Sequence, residues 1–150
     1  MIVDLVRNDL NKCCKTNTVK VDELFGIYSF PQVHQMISSI SGTLTEKCSF
    51  HETIRNTFPM GSMTGAPKIK AMELIDDYEK VKRGAFSGSL GYIHSNGDFD
   101  FNVIIRSIFY NTKTKQLSFE VGSAITLDAD PIKEYEECLL KAKAILKTFE

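Results

Sequence analysis

Strand-like segments of this chain follow one another in two runs instead of alternating singly with helices. The β-rich segments lie at residues 18–30 and 32–43, and then at 86–94, 98–110 and 116–121. Asn96-Gly97, a strong hairpin sequence, joins the segments 86–94 and 98–110. Helical segments come before, between and after the two runs. Because parallel βαβ units need a crossover between neighbouring strands, this order predicts a layered α+β fold with mostly antiparallel sheets.

Helices are predicted at residues 1–12, 50–57, 67–80 and 131–148. Ser49 is suited to cap the second helix, and Asp130 with Pro131 is suited to begin the last one. In that helix a stripe of apolar residues recurs at alternating spacings of three and four, which predicts a buried face: Ile132, Tyr135, Leu139, Ala142, Leu146 and Phe149. With 150 residues and no repeat or linker, the chain is expected to form one domain.

Composition restricts the class of protein. The chain carries 18 basic and 19 acidic side chains, a net charge of −1, with no basic stripe. Nucleic acid is therefore not an expected partner, and no apolar run reaches membrane-spanning length. The four cysteines have neither C-x-x-C nor zinc spacing: Cys13, Cys14, Cys48 and Cys138. Since no secretory signal is visible either, we expect reduced thiols in a cytoplasmic protein.

The segment Gly61–Lys68 is a loop of small residues that runs directly into a helix. Its two glycines and two hydroxyls leave backbone N–H groups free to point outward, and the helix terminus adds a partial positive charge. Pro67 is expected at the first helical position. Such a corner favours an anion, phosphate or carboxylate. The spacing of glycines and lysine excludes a P-loop, and an ordinary turn that caps a helix is the alternative.

Two carboxylates and an ammonium share one face of the last predicted helix. Glu134, Glu137 and Lys141 stand at positions i, i+3 and i+7. Carboxylates one turn apart can hold a hard cation, and Mg²⁺ typically takes one or two of them together with waters and oxygens of an anionic substrate. The alternative is a solvated face on which Glu137 pairs with Lys141 at i, i+4.

Three further features suggest contacts to a ligand. Arg106 is predicted within an apolar strand, where its planar fork would bind a ligand carboxylate or an internal acidic partner. Gly122-Ser123-Ala124 follows a strand and can expose successive N–H groups, although a plain bulge explains it equally well. His34 is either a proton donor near the ligand or a structural histidine.

Taken in order along the chain, these features closely resemble the chorismate-utilising enzymes. The matching motifs are Met1–Leu10, Val33-His34, Gly61–Lys68, Arg83-Gly84, Gly88, Gly91-Tyr92, Ile105-Arg106 and Glu134–Glu137. The family includes anthranilate, aminodeoxychorismate, isochorismate and salicylate synthases. Residues 122–125 and the ending Asp130–Cys138 look most like the para-aminobenzoate branch. The resemblance implies a layered α/β/β/α fold, of which this chain is the C-terminal part.

The resemblance also implies roles for individual residues. Glu134 and Glu137 match Mg²⁺ ligands, and Arg106 matches the clamp on the enolpyruvyl carboxylate. The turn Gly122-Ser123-Ala124 and Lys141 match groups around another substrate carboxylate, and His34 and Thr64 match polar residues near the C4 hydroxyl that leaves. Phe86 stands where the family usually has Tyr or Trp, and Ala124 where it usually has Gly, so one polar contact and some space are expected to be lost.

The implied reaction is the addition of ammonia to chorismate with loss of that hydroxyl, giving 4-amino-4-deoxychorismate for para-aminobenzoate and folate synthesis. A glutamine amidotransferase subunit would supply the ammonia. Family catalytic domains are far longer, and their general acid glutamate, a further Mg²⁺ ligand and the lysine of the Pro-Ile-Lys-Gly-Thr signature precede the part matched here. We therefore expect this chain to be inactive alone. An anthranilate synthase component I, or an inactive chorismate-binding fragment, is the alternative.

Overall fold

The strands form three separate two-stranded antiparallel sheets in the part of the chain that the structure, a computed structural model, describes: residues 1–30 and 34–149. The elements divide into an N-terminal unit, Met1–Lys80, and a C-terminal unit, Val81–Glu150. Mixed helices and antiparallel hairpins confirm the predicted α+β class. Pro31 and the first two residues of the predicted second strand, Gln32 and Val33, lie outside the described residues. The expectation of a single domain stays a prediction.

The N-terminal unit contains an antiparallel hairpin and three α-helices among its described residues. In chain order these are α1 (Ile2–Asn11), β1 (Lys20–Ser29), β2 (His34–Ser41), α2 (Phe50–Thr57) and α3 (Lys68–Tyr78), with a 3-10 turn at Gly61–Met63 before α3. The β1–β2 register runs from Lys20 opposite Ser41 to Ser29 opposite His34. Its shifts beside Glu23 fall where the polar pair Asp22-Glu23 interrupts the apolar pattern of β1.

A side-chain cap sets the start of α2, whereas α3 begins after Pro67 without a side-chain cap bond. Glu52 N–H donates to Ser49 Oγ at 3.3 Å, and Ser49 N–H donates to Glu52 Oε2 at 2.8 Å. This reciprocal pair is a capping box, which confirms the predicted start of α2. Pro67 is the N-cap of α3 and not its first helical residue, so the predicted start was wrong by one position. The helix also ends at Tyr78, two residues before the predicted end.

The C-terminal unit consists of two hairpins followed by a long helix. Its described elements are β3 (Ser89–Ile93), β4 (Phe99–Val103), β5 (Ile108–Asn111), β6 (Gln116–Phe119) and α4 (Pro131–Leu146), with a 3-10 turn at Lys147–Phe149. The turn after β3 contains Asn96-Gly97 as predicted, and Asp98 N–H donates to Asn96 Oδ1 at 3.0 Å. Asp130 accepts from the first N–H groups of α4, which confirms its predicted cap.

The strand predicted over residues 98–110 is interrupted, and this prediction was wrong. Ser87 N–H donates to Ile104 O and Ile104 N–H to Gly88 O, each at 3.0 Å. Ile105 N–H then donates to Val103 O, a tight turn, and Arg106 has φ 52°. The left-handed φ of Arg106 departs from the extended geometry of a strand. The break therefore separates β4 from β5 and puts Arg106 in the connection.

The predicted burial of the apolar stripe on α4 was also wrong. Ile132 is 67% exposed and Leu139 is 52% exposed, and Ile145 is the buried residue among the described positions of this helix. Periodicity indicates which side chains share a face, but burial requires another element to pack over that face. No helix in the described part of the chain combines the length and the apolarity needed to cross a bilayer.

Candidate functional site

Five of the predicted site residues come together where the loop before α4 meets that helix. Lys141 Nζ donates to Gly122 O at 2.8 Å and lies 2.6 Å from Glu137 Oε1. Ser123 Oγ donates to Glu134 Oε2. The Asp130 cap sets the start of α4, so the helical repeat places Glu134, Glu137 and Lys141 on one face. We call these five residues, Gly122, Ser123, Glu134, Glu137 and Lys141, the carboxylate cluster.

The two carboxylates of this cluster have different partners, Ser123 for Glu134 and Lys141 for Glu137. The hydrogen bond from Lys141 lowers the pKa of Glu137 most, followed by the charge of Lys141, while slight desolvation raises it and a hydrogen bond from Ser123 adds a smaller lowering effect. The Ser123 hydroxyl itself donates to Glu134. Glu137 is half exposed, since 49% of its side chain is accessible, so solvent and a ligand can both reach it.

Removing the Lys141 ammonium should raise the pKa of Glu137 toward that of an ordinary glutamate. We expect Lys141→Met to show this in a carboxyl-carbon NMR titration, with Lys143→Met on the same helix as the matched control. Because the pKa is lowered in the folded chain, Glu137 favours folding above the ordinary glutamate pKa, and this contribution is lost as the pH falls through the lowered value. An identical Glu137 titration in the two variants would contradict this assignment.

The carboxylate cluster fits a magnesium ion that takes most of its ligands from elsewhere. Over residues 1–30 and 34–149, no group of three or more His, Cys, Asp or Glu side chains is arranged to hold a metal ion. Mg²⁺ nevertheless binds through one or two carboxylates and completes its octahedron with waters and substrate oxygens. Glu134 and Glu137, one turn apart on the same helix face, provide that number. The ion would compete with Lys141 for Glu137.

Phe86 and Arg106 lie on a neighbouring part of the same unit. A methyl group built on Gly122 would stand 4.0 Å from Phe86 Cζ, so the half-buried ring lies beside the loop of the carboxylate cluster. Ile104 accepts a hydrogen bond from Ser87 N–H and donates one to Gly88 O, which brings the segment that contains Arg106 alongside Phe86. Arg106 is exposed in the connection between β4 and β5, so its predicted place within an apolar strand was wrong. Ala124 is exposed next to Ser123.

His34 and Thr64, the predicted catalytic residues, belong to the N-terminal unit and make local hydrogen bonds. His34 Nδ1 lies 3.0 Å from Ser29 Oγ across the hairpin, and its side chain is exposed. Thr64 Oγ1 donates to Met60 O at 3.1 Å and is half-buried. These contacts agree with structural roles, and the catalytic roles stay predictions.

The lysine of the Gly61–Lys68 corner is paired with a carboxylate of the chain itself. Lys68 Nζ donates to Asp9 Oδ2, and to Pro59 O at 2.7 Å. Lys12 Nζ lies 2.9 Å from Asp9 Oδ1, and Asp9 is 3% exposed. The ammonium of Lys68 therefore already has an internal anion. Asp9 was missed as a site residue, although its place four residues after Leu5, on the apolar face of α1, marked a charge in a buried stripe.

The chain resembles characterised sequences and solved structures over nearly all of its length. Residues 1–147 match the model of a family described as chorismate binding enzyme. Over 150 residues the chain is 44% identical to the probable chloroplastic aminodeoxychorismate synthase of Oryza sativa subsp. japonica, covering 100% of this chain and 16% of the relative. It is 40% identical over 150 residues to an anthranilate synthase component I-like protein of Synechocystis, covering 100% of this chain and 30% of that protein.

A solved structure gives the same result for the fold. The crystal structure of anthranilate synthase component I from Streptococcus pneumoniae superposes with a TM-score of 0.82 at 31% identity, over 97% of this chain and 33% of that one. The resemblance inferred from the motifs and the predicted fold class are therefore confirmed. The chain spans between 16 and 33% of the length of these three proteins.

Proposed function

Because the chain belongs to the chorismate-binding enzyme family, we propose that it supplies part of the chorismate site of an aminodeoxychorismate synthase component I. The observation that carries the proposal is the carboxylate cluster, in which Ser123 donates to Glu134, and Lys141 joins Glu137 to the Gly122 loop. The rice relative carries this activity in its name, and residues 122–125 and 130–138 resemble the same branch.

The reaction would replace the C4 hydroxyl of chorismate by an amino group from ammonia. In the proposed site the exposed guanidinium of Arg106 binds the enolpyruvyl carboxylate through two parallel hydrogen bonds. Lys141 and the backbone N–H groups of the Gly122 loop bind the ring carboxylate. Phe86 packs beside this loop and excludes water, but its ring offers no hydroxyl where family members usually have one.

We further propose Mg²⁺ as the cofactor, held by Glu134 and Glu137. When bound, the ion would stabilise the negative charge of the ring carboxylate as a Lewis acid. The Ser123 hydroxyl donates to Glu134 and would orient its oxygens, as outer partners of metal ligands do. Lys141 would turn from Glu137 to the substrate carboxylate, so the same ammonium stabilises the cluster before the ligand binds and the ligand afterwards.

The remaining parts of the enzyme are also a proposal. The chain spans between 16 and 33% of the proteins compared above. We propose that turnover needs catalytic groups from the longer protein and ammonia from a glutamine amidotransferase subunit. Mixing this chain alone with chorismate, Mg²⁺ and ammonium should then yield no aminodeoxychorismate. Product formation by the isolated chain would overturn this part of the proposal.

Calorimetric titration of chorismate into the chain, with and without Mg²⁺, tests the proposed site. We expect Mg²⁺-dependent binding that weakens about 10- to 100-fold in Glu134→Gln and Glu137→Gln, as for the loss of a charge-assisted contact. Glu136→Gln is the matched control, since its exposed side chain lies on the same helix outside the cluster. Binding that ignores Mg²⁺, or that responds equally to all three substitutions, would exclude this metal site.

Anthranilate synthase component I is the second candidate, because the Synechocystis relative and the Streptococcus structure carry that name. Both reactions start from chorismate and ammonia, so the carboxylate cluster suits either one. The coding sequence upstream of Met1 distinguishes them. A Pro-Ile-Lys-Gly-Thr signature there would favour the para-aminobenzoate branch, and its absence would favour anthranilate.

A further inference from the structure

Three cysteine thiols of the N-terminal unit lie together and have no part in the proposed chorismate site. Cys13 and Cys14 follow the end of α1, and Cys48 directly precedes Ser49, the cap of α2. The thiol of Cys13 donates to Leu10 O at 3.4 Å and interacts electrostatically with the thiols of Cys14 and Cys48. All four cysteines of the chain are free thiols. This thiol cluster, Cys13, Cys14 and Cys48, is not arranged as a metal site within the described residues.

Backbone hydrogen bonds hold the two segments of the thiol cluster against each other. Cys14 and Leu44 form an antiparallel bridge, and Thr45 N–H donates to Cys13 O at 3.0 Å. Cys48 N–H then donates to Thr45 O at 3.0 Å, so a tight turn brings Cys48 back over Cys13. The proximity of the Cys13 and Cys48 side chains therefore follows from a fixed backbone arrangement.

The three thiols differ in their access to solvent. Cys13 is 2% exposed and Cys14 is 8% exposed, whereas Cys48 is half-buried and its Sγ lies 3.5 Å from Thr53 Oγ1. Burial, followed by interactions with the two neighbouring thiols, raises the pKa of Cys13 to about 12. Since Cys48 is the most accessible of the three thiols, it is the one that an external oxidant reaches first.

We propose that Cys13 and Cys48 form a reversible disulfide that joins the end of α1 to the cap of α2 when the chain meets a small-molecule disulfide. The Cys48 thiolate attacks one sulfur of the oxidant, forms a mixed disulfide and releases one small thiol. The Cys13 thiolate then attacks Cys48 Sγ, forms the internal bond and releases the second small thiol. Two protein thiols are oxidised, one small disulfide is reduced, and the two cysteine protons pass to the released thiols.

The product would close a loop that contains the whole β1–β2 hairpin. Cys14 is a poorer partner for Cys13, because a bridge between adjacent residues closes a small, strained ring. The Cα atoms of adjacent residues lie closer together than those of an unstrained disulfide usually do. The backbone of Cys14 is also held by its bridge to Leu44. A disulfide that closes a loop restricts the unfolded chain and so stabilises the folded one.

Oxidised glutathione is the probe that tests the proposal. The folded chain is treated with oxidised glutathione, alkylated and analysed by peptide mass mapping. This should show the segment 13–15 linked to the segment 48–55, and Cys138 should be the only cysteine that can retain a mixed disulfide. Cys14→Ser should keep this link, whereas Cys13→Ser and Cys48→Ser should lose it. The urea midpoint should rise on oxidation and return to its starting value after dithiothreitol.

Three outcomes would overturn the proposal. These are a link that Cys14→Ser abolishes, a Cys48 that stops at the mixed disulfide, and cross-linking that occurs equally in urea. Circular dichroism before oxidation tests whether each variant is folded. If Cys13→Ser does not fold, the folded variant Cys14→Ser still tests the proposal. The test does not involve chorismate, so its failure would leave the proposed function untouched.

Discussion

Replacing Asp9 by alanine should cost about 3–5 kcal/mol of unfolding free energy, because it removes one partner of a buried ion pair. The side chain of Asp9 is 5% exposed, and that of Lys68 is 14% exposed. Without Asp9, the Lys68 ammonium would keep only the Pro59 carbonyl among the partners described here. A buried cation that is not neutralised is costly, and this cost dominates the expected loss.

Urea unfolding followed by far-UV circular dichroism measures this effect, with Asp4→Ala as the matched control. Asp4 lies in the same helix and its carboxylate is 3.1 Å from Arg7 Nη1, but its side chain is 68% exposed. Exposed pairs contribute at most about 1 kcal/mol. The double substitution Asp9→Leu with Lys68→Met should recover much of the loss, since an apolar pair often replaces a buried ion pair well. Equal losses in Asp9→Ala and Asp4→Ala would contradict the prediction.

Replacing Arg106 by methionine should weaken chorismate binding about 10- to 100-fold, the range expected for a hydrogen-bonded charge. This prediction rests on the proposed contact between the guanidinium and the enolpyruvyl carboxylate. Arg106→Lys should recover only part of the affinity, since an ammonium retains the charge without the planar fork that binds both carboxylate oxygens. Calorimetry with chorismate and Mg²⁺ measures both variants.

The two substitutions of Arg106 remove the guanidinium and leave the backbone conformation at this position unchanged. Arg106 has φ 52°, and methionine and lysine carry the same Cβ, so both variants keep whatever strain that conformation imposes. Lys113→Met is the control for a general loss of positive charge, because Lys113 is an exposed cation in the turn between β5 and β6. If Arg106→Met binds chorismate as the unmodified chain does, the arginine is not a substrate contact.

The elements that depend on neighbouring residues could be predicted from the sequence. The cap at Ser49, the cap at Asp130 and the Asn96-Gly97 turn all appear as expected. Each depends on side chains and backbone groups within a few residues of one another. The break that places Arg106 between β4 and β5 was missed, because residues 104–107 contain no glycine or proline to signal a turn.

In the candidate site, too, the local features could be predicted from the sequence and the long-range contacts could not. Helical spacing alone places Glu134, Glu137 and Lys141 on one face, and the pairing of Glu137 with Lys141 was foreseen as an alternative. Ser123 and Gly122 were expected near the substrate, but not as direct contacts of Glu134 and Lys141. Those contacts join residues 11 and 19 positions apart, across an irregular loop whose path no local pattern specifies.

Local periodicity and capping establish which residues of this chain are helical or extended and which side chains stand on a common face, because backbone geometry repeats over short distances. What each face meets depends on the packing of distant segments. The pairing of Asp9 with Lys68 spans 59 residues, and Cys13 meets Cys48 through a bridged backbone. The apolar stripe of α4 stays exposed for the same reason, since a periodic pattern creates a face but does not supply the surface that covers it.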